Sequence, residues 1–231
     1  MSCWIGFYYI PPEGPFYDLG SQILRYDIRA ERTAPLSDVV RAKIGAVPSG
    51  WIRDARHFGF HLTVGEALRV SSHDLPRIED ELAALLGCLH PDSRLTLHYQ
   101  GLRRWRDDKV WVLRYRASEA LGILQAVVVA RLARYARHSH FIDAVRDNPN
   151  RYPDDYQRQR IETFLTPRGF DTWEPHFTLL NPYEGNEPER LAERLEPLFR
   201  PVRVLECESF CLVEKRDDGP WRIRRELTRP A

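Results

Sequence analysis

The spacing of apolar residues along the chain predicts several helices. Over residues 74–89, apolar positions recur every three or four residues and acidic side chains lie near the start, which is typical of a helix with one buried face. The longest stretch of this kind covers residues 119–137. Helices are also predicted over residues 18–26, 153–166 and 188–199.

Shorter apolar segments, bounded by Pro, Gly, Asn or Asp, predict strands. They cover residues 2–10, 58–69, 94–102, 110–116 and 173–180, with 202–213 and 221–227 as a closing hairpin. Residues 27–57 carry mixed signals, and the polar segment 138–152 predicts a loop. Strands interleaved with helices, without a separable linker, predict an α/β or α+β fold in a single domain over residues 1–231.

The composition argues against several classes of protein. Among the 231 residues, 43% are hydrophobic and 29% are charged, which is ordinary for a globular protein and excludes disordered and fibrous chains. No apolar run approaches the roughly 20 residues of a membrane-spanning helix, and the first residues lack the basic start of a secretory signal. The four cysteines are few and scattered, which favours the reducing cytoplasm. We therefore expect a cytoplasmic protein without membrane partners, and favour a monomer.

The net charge is balanced, but the basic residues are unusual. The formal net charge is +1, which argues against a protein that coats nucleic acid in general. Of the 34 basic residues, only Lys43, Lys109 and Lys215 are lysines. Arginine suits bidentate contacts with phosphate. The excess is thus compatible with a small phosphorylated ligand, but genomic base composition is the simpler explanation.

Two halves of the chain repeat one order of elements. His61-Leu62-Thr63-Val64 is followed by a helix, a strand and the turn Arg106-Asp107-Asp108. His176-Phe177-Thr178-Leu179 is followed by a helix, a strand and the turn Arg216-Asp217-Asp218. The histidines are 115 residues apart and the turns are 110 apart. The repeat predicts one pseudo-symmetric domain of two lobes rather than two independent domains.

The paired motif supplies candidate acid–base chemistry. Residues i and i+2 of a strand face the same side, so His61 points with Thr63, and His176 points with Thr178. If a pseudo-twofold axis relates the lobes, the two His/Thr pairs face each other across a cleft. A neutral imidazole accepts a proton and an imidazolium donates one, so two histidines on opposite sides of a phosphorus atom suit in-line transfer. The threonine hydroxyls would hold the non-bridging oxygens, and the scheme requires no metal or other cofactor.

Paired His-apolar-Thr-apolar motifs in a duplicated chain resemble the 2H phosphoesterases, which include 2′-5′ RNA ligase-like proteins and cyclic phosphodiesterases. The segments 58–63 and 174–180 both fit the motif. The resemblance covers nearly the whole chain and implies an α+β fold with antiparallel sheets lining a central cleft and helices outside. It also implies that His61, Thr63, His176 and Thr178 are catalytic. The implied reaction is metal-independent hydrolysis or reversible ligation of 2′,3′-cyclic or 2′-5′ phosphodiesters.

The opening strand and the long segment before the second motif resemble a branch found beside bacterial phosphonate-utilisation proteins. A helical insertion over about residues 119–170 separates the motifs further than in compact members and could cap the cleft. Two alternatives stay open: a non-catalytic module that binds nucleotide or RNA, and a phosphoesterase for a non-nucleotide cyclic phosphate of phosphonate metabolism.

Several residues outside the motifs are candidates for binding a small nucleotide or an RNA end. Phe58, Trp173 and Tyr183 flank the motifs and could stack on a base, although core packing fits each of them as well. Arg104, near the first predicted hairpin, could contact phosphate, although a position on a solvated face is the simpler interpretation. The segment 138–140, His-Ser-His, has no further ligand at a metal-binding spacing and is interpreted as a surface loop.

Overall fold

The computed structural model of the chain describes residues 1–106, 108–216 and 219–229. The strands are β1 (Ser2–Tyr9), β2 (Tyr26–Asp27), β3 (Arg32–Thr33), β4 (Leu62–Ser71), β5 (Thr96–Trp105), β6 (Val110–Ala117), β7 (Ala136–His138), β8 (His176–Leu180), β9 (Val204–Glu206), β10 (Ser209–Lys215) and β11 (Arg222–Thr228). The helices are α1 (Pro15–Leu24), α2 (Asp38–Ile44), α3 (Leu75–Gly87), α4 (Glu119–Leu132), α5 (His140–Asp147), α6 (Asp155–Phe164) and α7 (Pro188–Phe199). Asp107, Asp217 and Asp218, from the two predicted Arg-Asp-Asp turns, lie outside the described residues.

One large antiparallel sheet carries both motifs. Its strand order is β11-β10-β1-β4-β8-β6-β5-β9, and β7 pairs with β4 beside this path. The order β10-β1-β4 on one side of the centre mirrors β5-β6-β8 on the other. The chain follows two matching series, β1-α1-β4-α3-β5 and β6-α4-β8-α7-β10, interrupted by shorter elements. The last strand of each series, β5 or β10, pairs in the other half of the sheet. The predicted pseudo-symmetric, two-lobed α+β fold is thereby confirmed.

Aromatic side chains fill the core beneath the centre of the sheet. The ring of Phe177 in β8 stacks on Phe60 with 4.8 Å between centroids, and it contacts Phe16 of α1 at 5.4 Å. Phe16 also meets Phe199 of α7 at 5.9 Å. Gly20 of α1 permits this packing because a Cβ there would lie 2.2 Å from the Phe60 ring. Helices α1 and α7 thus pack beneath this part of the sheet, and alternation along the strands leaves the opposite side for polar residues.

Two predictions about the insertion are wrong. The segment 138–152, predicted as a loop, contains α5, because Phe141 packs with Tyr152 and Ile161 in a second small core. The helix predicted to reach residue 137 ends at Leu132. Strand β7 follows it because pairing with β4 overrides the local helix propensity.

The predicted closing hairpin is formed by β10 and β11, but its first strand is shorter than predicted. Residues 202–213 divide into β9, which pairs with β5 at one end of the sheet, and β10, which pairs with β1 and β11 near the other end. Only Cys207 and Glu208 join these two strands, so the sheet curls back on itself. Residues 27–57, left without an assignment, contain α2, β2 and β3. The described ranges contain no helix that is long and apolar enough to cross a membrane.

Candidate active site

The two motif strands meet at the centre of the sheet. β4 and β8 are antiparallel neighbours, and their recorded pair is Leu62↔Phe177, both fully buried. Continuing this register by one residue in each direction sets His61 opposite Thr178 and Thr63 opposite His176. Directly opposed side chains in antiparallel strands have Cβ atoms about 4.5–5.5 Å apart. The four polar side chains therefore cluster on the face opposite the aromatic core.

A cavity of about 150 Å³ opens above this pair of strands. Its walls include His61 and Thr63 from the first motif and Thr178 from the second. His176 lies beside it, with its ring against the indole of Trp105 at 4.6 Å between centroids. The predicted cleft thus contains residues from both halves of the chain.

The backbone fixes the tautomer of His61. Its Nδ1 lies 3.0 Å from the carbonyl oxygen of Gly59. A carbonyl oxygen can only accept, so Nδ1 carries the proton and the neutral ring leaves Nε2 as an acceptor. This Nε2 lies 3.3 Å from Thr63 Oγ1. Gly59 adopts φ +69°, and a Cβ there would lie 2.7 Å from Ile28 Cβ, so the turn that offers the carbonyl requires glycine.

His176 is held in the same way. Its Nδ1 lies 2.7 Å from the carbonyl oxygen of Glu174, again two residues before the histidine. The side chain of Glu174 forms an ion pair with Arg114 at 2.5 Å, and β8 pairs with β6 at Arg114↔His176. Each motif therefore repeats one local arrangement, in which Nδ1–H donates to the backbone and Nε2 is the ring's acceptor nitrogen.

Burial in the cleft keeps both imidazoles neutral. It lowers the pKa of His61 to about 4, against the opposing effect of the Gly59 hydrogen bond. Burial also lowers the pKa of His176 to about 4, against the opposing effect of the Glu174 hydrogen bond. The charges of Arg168 and Arg114, and that of His61 when it is protonated, act in the same direction as burial. Both rings are proton acceptors at neutral pH, and protonation of one disfavours protonation of the other. An anionic ligand between them would favour the protonated form of one ring and so create an acid beside a base.

Of the candidate residues outside the motifs, Phe58 and Trp173 contact the first motif, whereas Tyr183 lies in the core. Phe58 lines the cavity, with its ring centroid 5.9 Å from that of His61. Trp173 supports the first motif, because its Nε1 donates to the Thr63 carbonyl oxygen at 3.1 Å. Tyr183 is buried in the core beside Trp51.

Arg104 does not lie at the cleft, where it was predicted to contact phosphate. Its Nη1 pairs with Glu189 of α7 at 3.0 Å and with Asp108 at 3.5 Å. The structure does not bring Arg104 or Tyr183 to the cavity. Tyr183 lies in the segment after β8, where its ring packs against Trp51 and Trp111, and the ion pairs with Glu189 and Asp108 hold Arg104 away from the cavity.

The cavity lining also includes residues that are not among the sequence-based candidates, and three of them are Tyr8, Glu66 and His140. Tyr8 of β1 stacks on His61 with 4.0 Å between ring centroids. Glu66 lies within the otherwise mostly buried β4, and burial raises the pKa of its carboxyl group. An acidic residue inside an apolar strand is a signal that could have identified it. His140 belongs to the segment 138–140, interpreted from the sequence as a surface loop, and this interpretation is wrong for it, because it begins α5 and lines the cavity.

Searches for related proteins matched no protein-family model and no curated protein. Similar solved structures include LigT of E. coli complexed with 3′-AMP, at 16% identity over 99% of both chains and a TM-score of 0.49. TT0787 of Thermus thermophilus is similar at 15% identity, over 98% of this chain and 97% of its own, with a TM-score of 0.49. Usb1 of Kluyveromyces marxianus with uridine monophosphate is similar at 12% identity, over 99% and 98%, with a TM-score of 0.42.

Proposed function

We propose that the protein is a metal-independent phosphodiesterase of the 2H type, in which His61 and His176 act as acid and base. It hydrolyses, or reversibly ligates, 2′,3′-cyclic or 2′-5′ phosphodiester bonds of a small nucleotide or an RNA end. The observation that carries the proposal is the meeting of two histidines at one point of the sheet, each with Nδ1 tied to the backbone and Nε2 as its acceptor nitrogen.

Hydrolysis in this site needs two proton transfers. One histidine accepts the proton of a water molecule through Nε2 while the water oxygen attacks phosphorus. The bond from phosphorus to the leaving ribose oxygen breaks, and the other histidine donates its proton to that oxygen. After the reaction, the proton is on the histidine that was neutral at the start. Each of the two proton transfers typically increases the rate by a factor of about 10²–10⁴. In the reverse direction the same steps join two ends.

Thr63 and Thr178 are proposed to bind the non-bridging oxygens of the diester. Both hydroxyl-bearing residues line the cavity. A hydroxyl aimed at charge that grows in the transition state stabilises that state more than the ground state. The anionic diester itself would favour the protonated form of one histidine, against the burial that lowers the pKa of both.

The direct test uses purified protein with nucleoside 2′,3′-cyclic phosphates and 2′-5′ linked dinucleotides, with and without EDTA. We expect turnover that EDTA does not reduce. His61→Ala and His176→Ala should each lower kcat by about 10²–10⁴. His98→Ala is the matched control, because His98 also contacts a threonine two residues away, Thr96, at 3.1 Å, but lies outside the cavity lining.

Three outcomes would contradict the proposal. They are an absence of turnover across the panel, turnover that only an added metal restores, and normal activity in either histidine variant. Tight binding of an RNA end without turnover would indicate that the protein is a binding module and not an enzyme.

A further inference from the structure

Glu66 is an acidic residue in the wall of the catalytic cavity, and the two-histidine mechanism does not use it. It lines the cavity together with His61 and Thr63 of the first motif. Its neighbours Gly65 and Ala67 are buried, and Glu66 itself is half-buried. A carboxyl group inside an apolar strand costs free energy unless it gains a partner. Contact with a ligand would supply that partner.

A β-bulge places Glu66 at the cavity. The register between β1 and β4 shifts between Ile5 and Phe7. Gly6 of β1 therefore lies opposite both Glu66 and Ala67, and these two residues line the cavity. Bulges of this kind redirect side chains and are common beside active sites. The bulge accounts for an acidic residue at the cavity in a strand whose other face is buried.

The ring of Tyr8 extends from the first motif to this bulge. It stacks on His61 with 4.0 Å between ring centroids. It also lies over Gly6, because a Cβ added to Gly6 would be 2.7 Å from the Tyr8 hydroxyl oxygen. Burial, with a smaller effect of the Glu66 charge, raises the pKa of Tyr8. The Glu66 carboxyl group is thus near the hydroxyl end of Tyr8, whereas His61 packs on its ring.

In the part of the chain that the structure describes, no protein group satisfies the Glu66 carboxylate: no hydrogen bond reaches it and no ion pair within 4 Å includes it. Burial raises the pKa of this carboxyl group, against the opposing charge of Arg168. Asp54, the other acidic residue in the cavity lining, is paired with Arg53 at 3.1 Å. The carboxylate of Glu66 therefore needs N–H or O–H donors from a ligand.

The chemistry of a nucleoside 2′,3′-cyclic phosphate limits which donors can meet this carboxylate. Its 2′ and 3′ oxygens are both bonded to phosphorus, so the remaining donors are the 5′-hydroxyl group and the base. Guanine presents two adjacent donors, N1–H and the N2 amino group, which match the two oxygens of a carboxylate. Adenine and cytosine present an amino group beside an acceptor nitrogen, and uracil presents one N–H between two carbonyl groups. Guanine is therefore the base that fits a carboxylate best.

We propose that Glu66 is a specificity-determining residue that accepts two hydrogen bonds from a guanine base, while the two His/Thr pairs hold the phosphate. The three strand residues from Thr63 to Glu66 span at most about 10 Å, which is comparable with the length of a nucleoside. The assignment rests on the proposed function for the position of the phosphate. A base without these donors leaves the carboxylate unsatisfied in the complex, and this penalty adds to the selection of guanine.

Calorimetric titrations with guanosine, inosine and adenosine 3′-monophosphates test this contact without turnover. The wild-type protein should bind the guanosine compound at least about tenfold more tightly than the adenosine compound, as expected for hydrogen bonds to a charged group. The inosine compound lacks the N2 amino group and should bind with intermediate affinity.

Three variants sharpen the test. Glu66→Met removes both acceptor oxygens at similar side-chain length and should reduce the preference for guanosine over adenosine to about twofold or less. Glu66→Gln keeps one oxygen for N1–H and should bind the guanosine and inosine compounds within about twofold of each other. Asp54→Asn is the matched control, because it alters the other acid of the cavity lining, and it should keep the wild-type preference.

Equal affinities for guanosine and adenosine compounds in the wild-type protein, binding of neither, or a preference that survives Glu66→Met would overturn the assignment. Glu66→Gln is nearly isosteric and keeps the test decisive if Glu66→Met does not fold, since an unchanged preference for guanosine over inosine would also overturn it. If cyclic diesters are turned over but no base preference is found, the role of Glu66 fails alone. If the preference is found but no diester is turned over, the proposed catalytic function fails and the base contact stands.

Discussion

The first and second motifs have the same backbone arrangement but different surroundings. Both histidines donate through Nδ1 to a carbonyl two residues earlier. His61 then stacks on the buried ring of Tyr8, whereas His176 meets the edge of Trp105 and experiences the charges of Arg168 and Arg114. The duplicated frame accounts for the shared tautomer, and the residues added around it make one side aromatic and the other cationic. Any difference between the two histidines in function must come from those additions.

The largest expected effect tests what the two sides share, the lowered pKa of both histidines. Catalysis needs one protonated and one neutral ring, and with both pKa values near 4 the singly protonated free enzyme becomes rarer as pH rises. We expect kcat/KM to fall about tenfold per pH unit between pH 5 and 8. Initial rates at low substrate concentration measure this slope. A plateau between pH 6 and 8 would show that one histidine keeps its proton at neutral pH.

Variants of Thr63 and Thr178 test whether the two motifs hold the phosphate in the same way. Thr63→Val and Thr178→Val each remove one hydroxyl at nearly constant volume, and each should lower kcat by about a hundredfold. Thr96→Val, which breaks the similar contact with His98, is the control and should leave kcat near that of the wild type. A large loss in only one motif variant would mean that the two halves do not hold the phosphate in the same way.

A smaller effect should distinguish the two tryptophans. Trp173→Phe removes the donor to the Thr63 carbonyl and should lower kcat several-fold with little change in KM, because it acts on the position of the first motif. Trp105→Phe keeps an aromatic ring against His176 and should change kcat less than twofold. Equal losses in steady-state kinetics would contradict the assignment of Trp173 as a positioning residue.

The smallest expected effect concerns stability in acid. The folded-state pKa of both histidines lies below the ordinary value near 6.5, so the unfolded chain binds protons more readily between pH 6.5 and 4. The free energy of unfolding should therefore fall as pH drops through that window. A protein with His61→Gln and His176→Gln should lose less stability over the same window in urea titrations. An identical pH dependence in both proteins would count against burial as the cause of the lowered pKa values.

The sequence was sufficient to predict the duplication and the His/Thr pairs because those features are local. Alternation along a strand predicts that His61 and Thr63 share a face, and the repeat predicts that a second pair matches it. The helix over residues 188–199 agrees with α7 because its apolar face has a regular helical spacing.

The surroundings could not be predicted because they depend on contacts distant in the sequence. His140 is placed at the cavity by a small core that Tyr152 and Ile161 complete, and the local pattern of residues 138–152 is that of a loop. Tyr8 reaches His61 because β1 pairs with β4. The position of Arg104 also depends on a distant contact, because its ion pair with Glu189 is set by where α7 packs. Local patterns thus predict the frame, and tertiary contacts decide which side chains surround it.

The most direct test of the central claim, that two neutral histidines face one shared phosphate, is nitrogen-15 NMR of the imidazole rings. In the free protein at pH 7, both His61 and His176 should be neutral with the proton on Nδ1. Addition of adenosine 3′-monophosphate should shift the Nε2 resonances of both rings and leave those of His98 unchanged. A proton on Nε2 of either ring in the free protein, or a shift confined to one of them, would contradict the shared site.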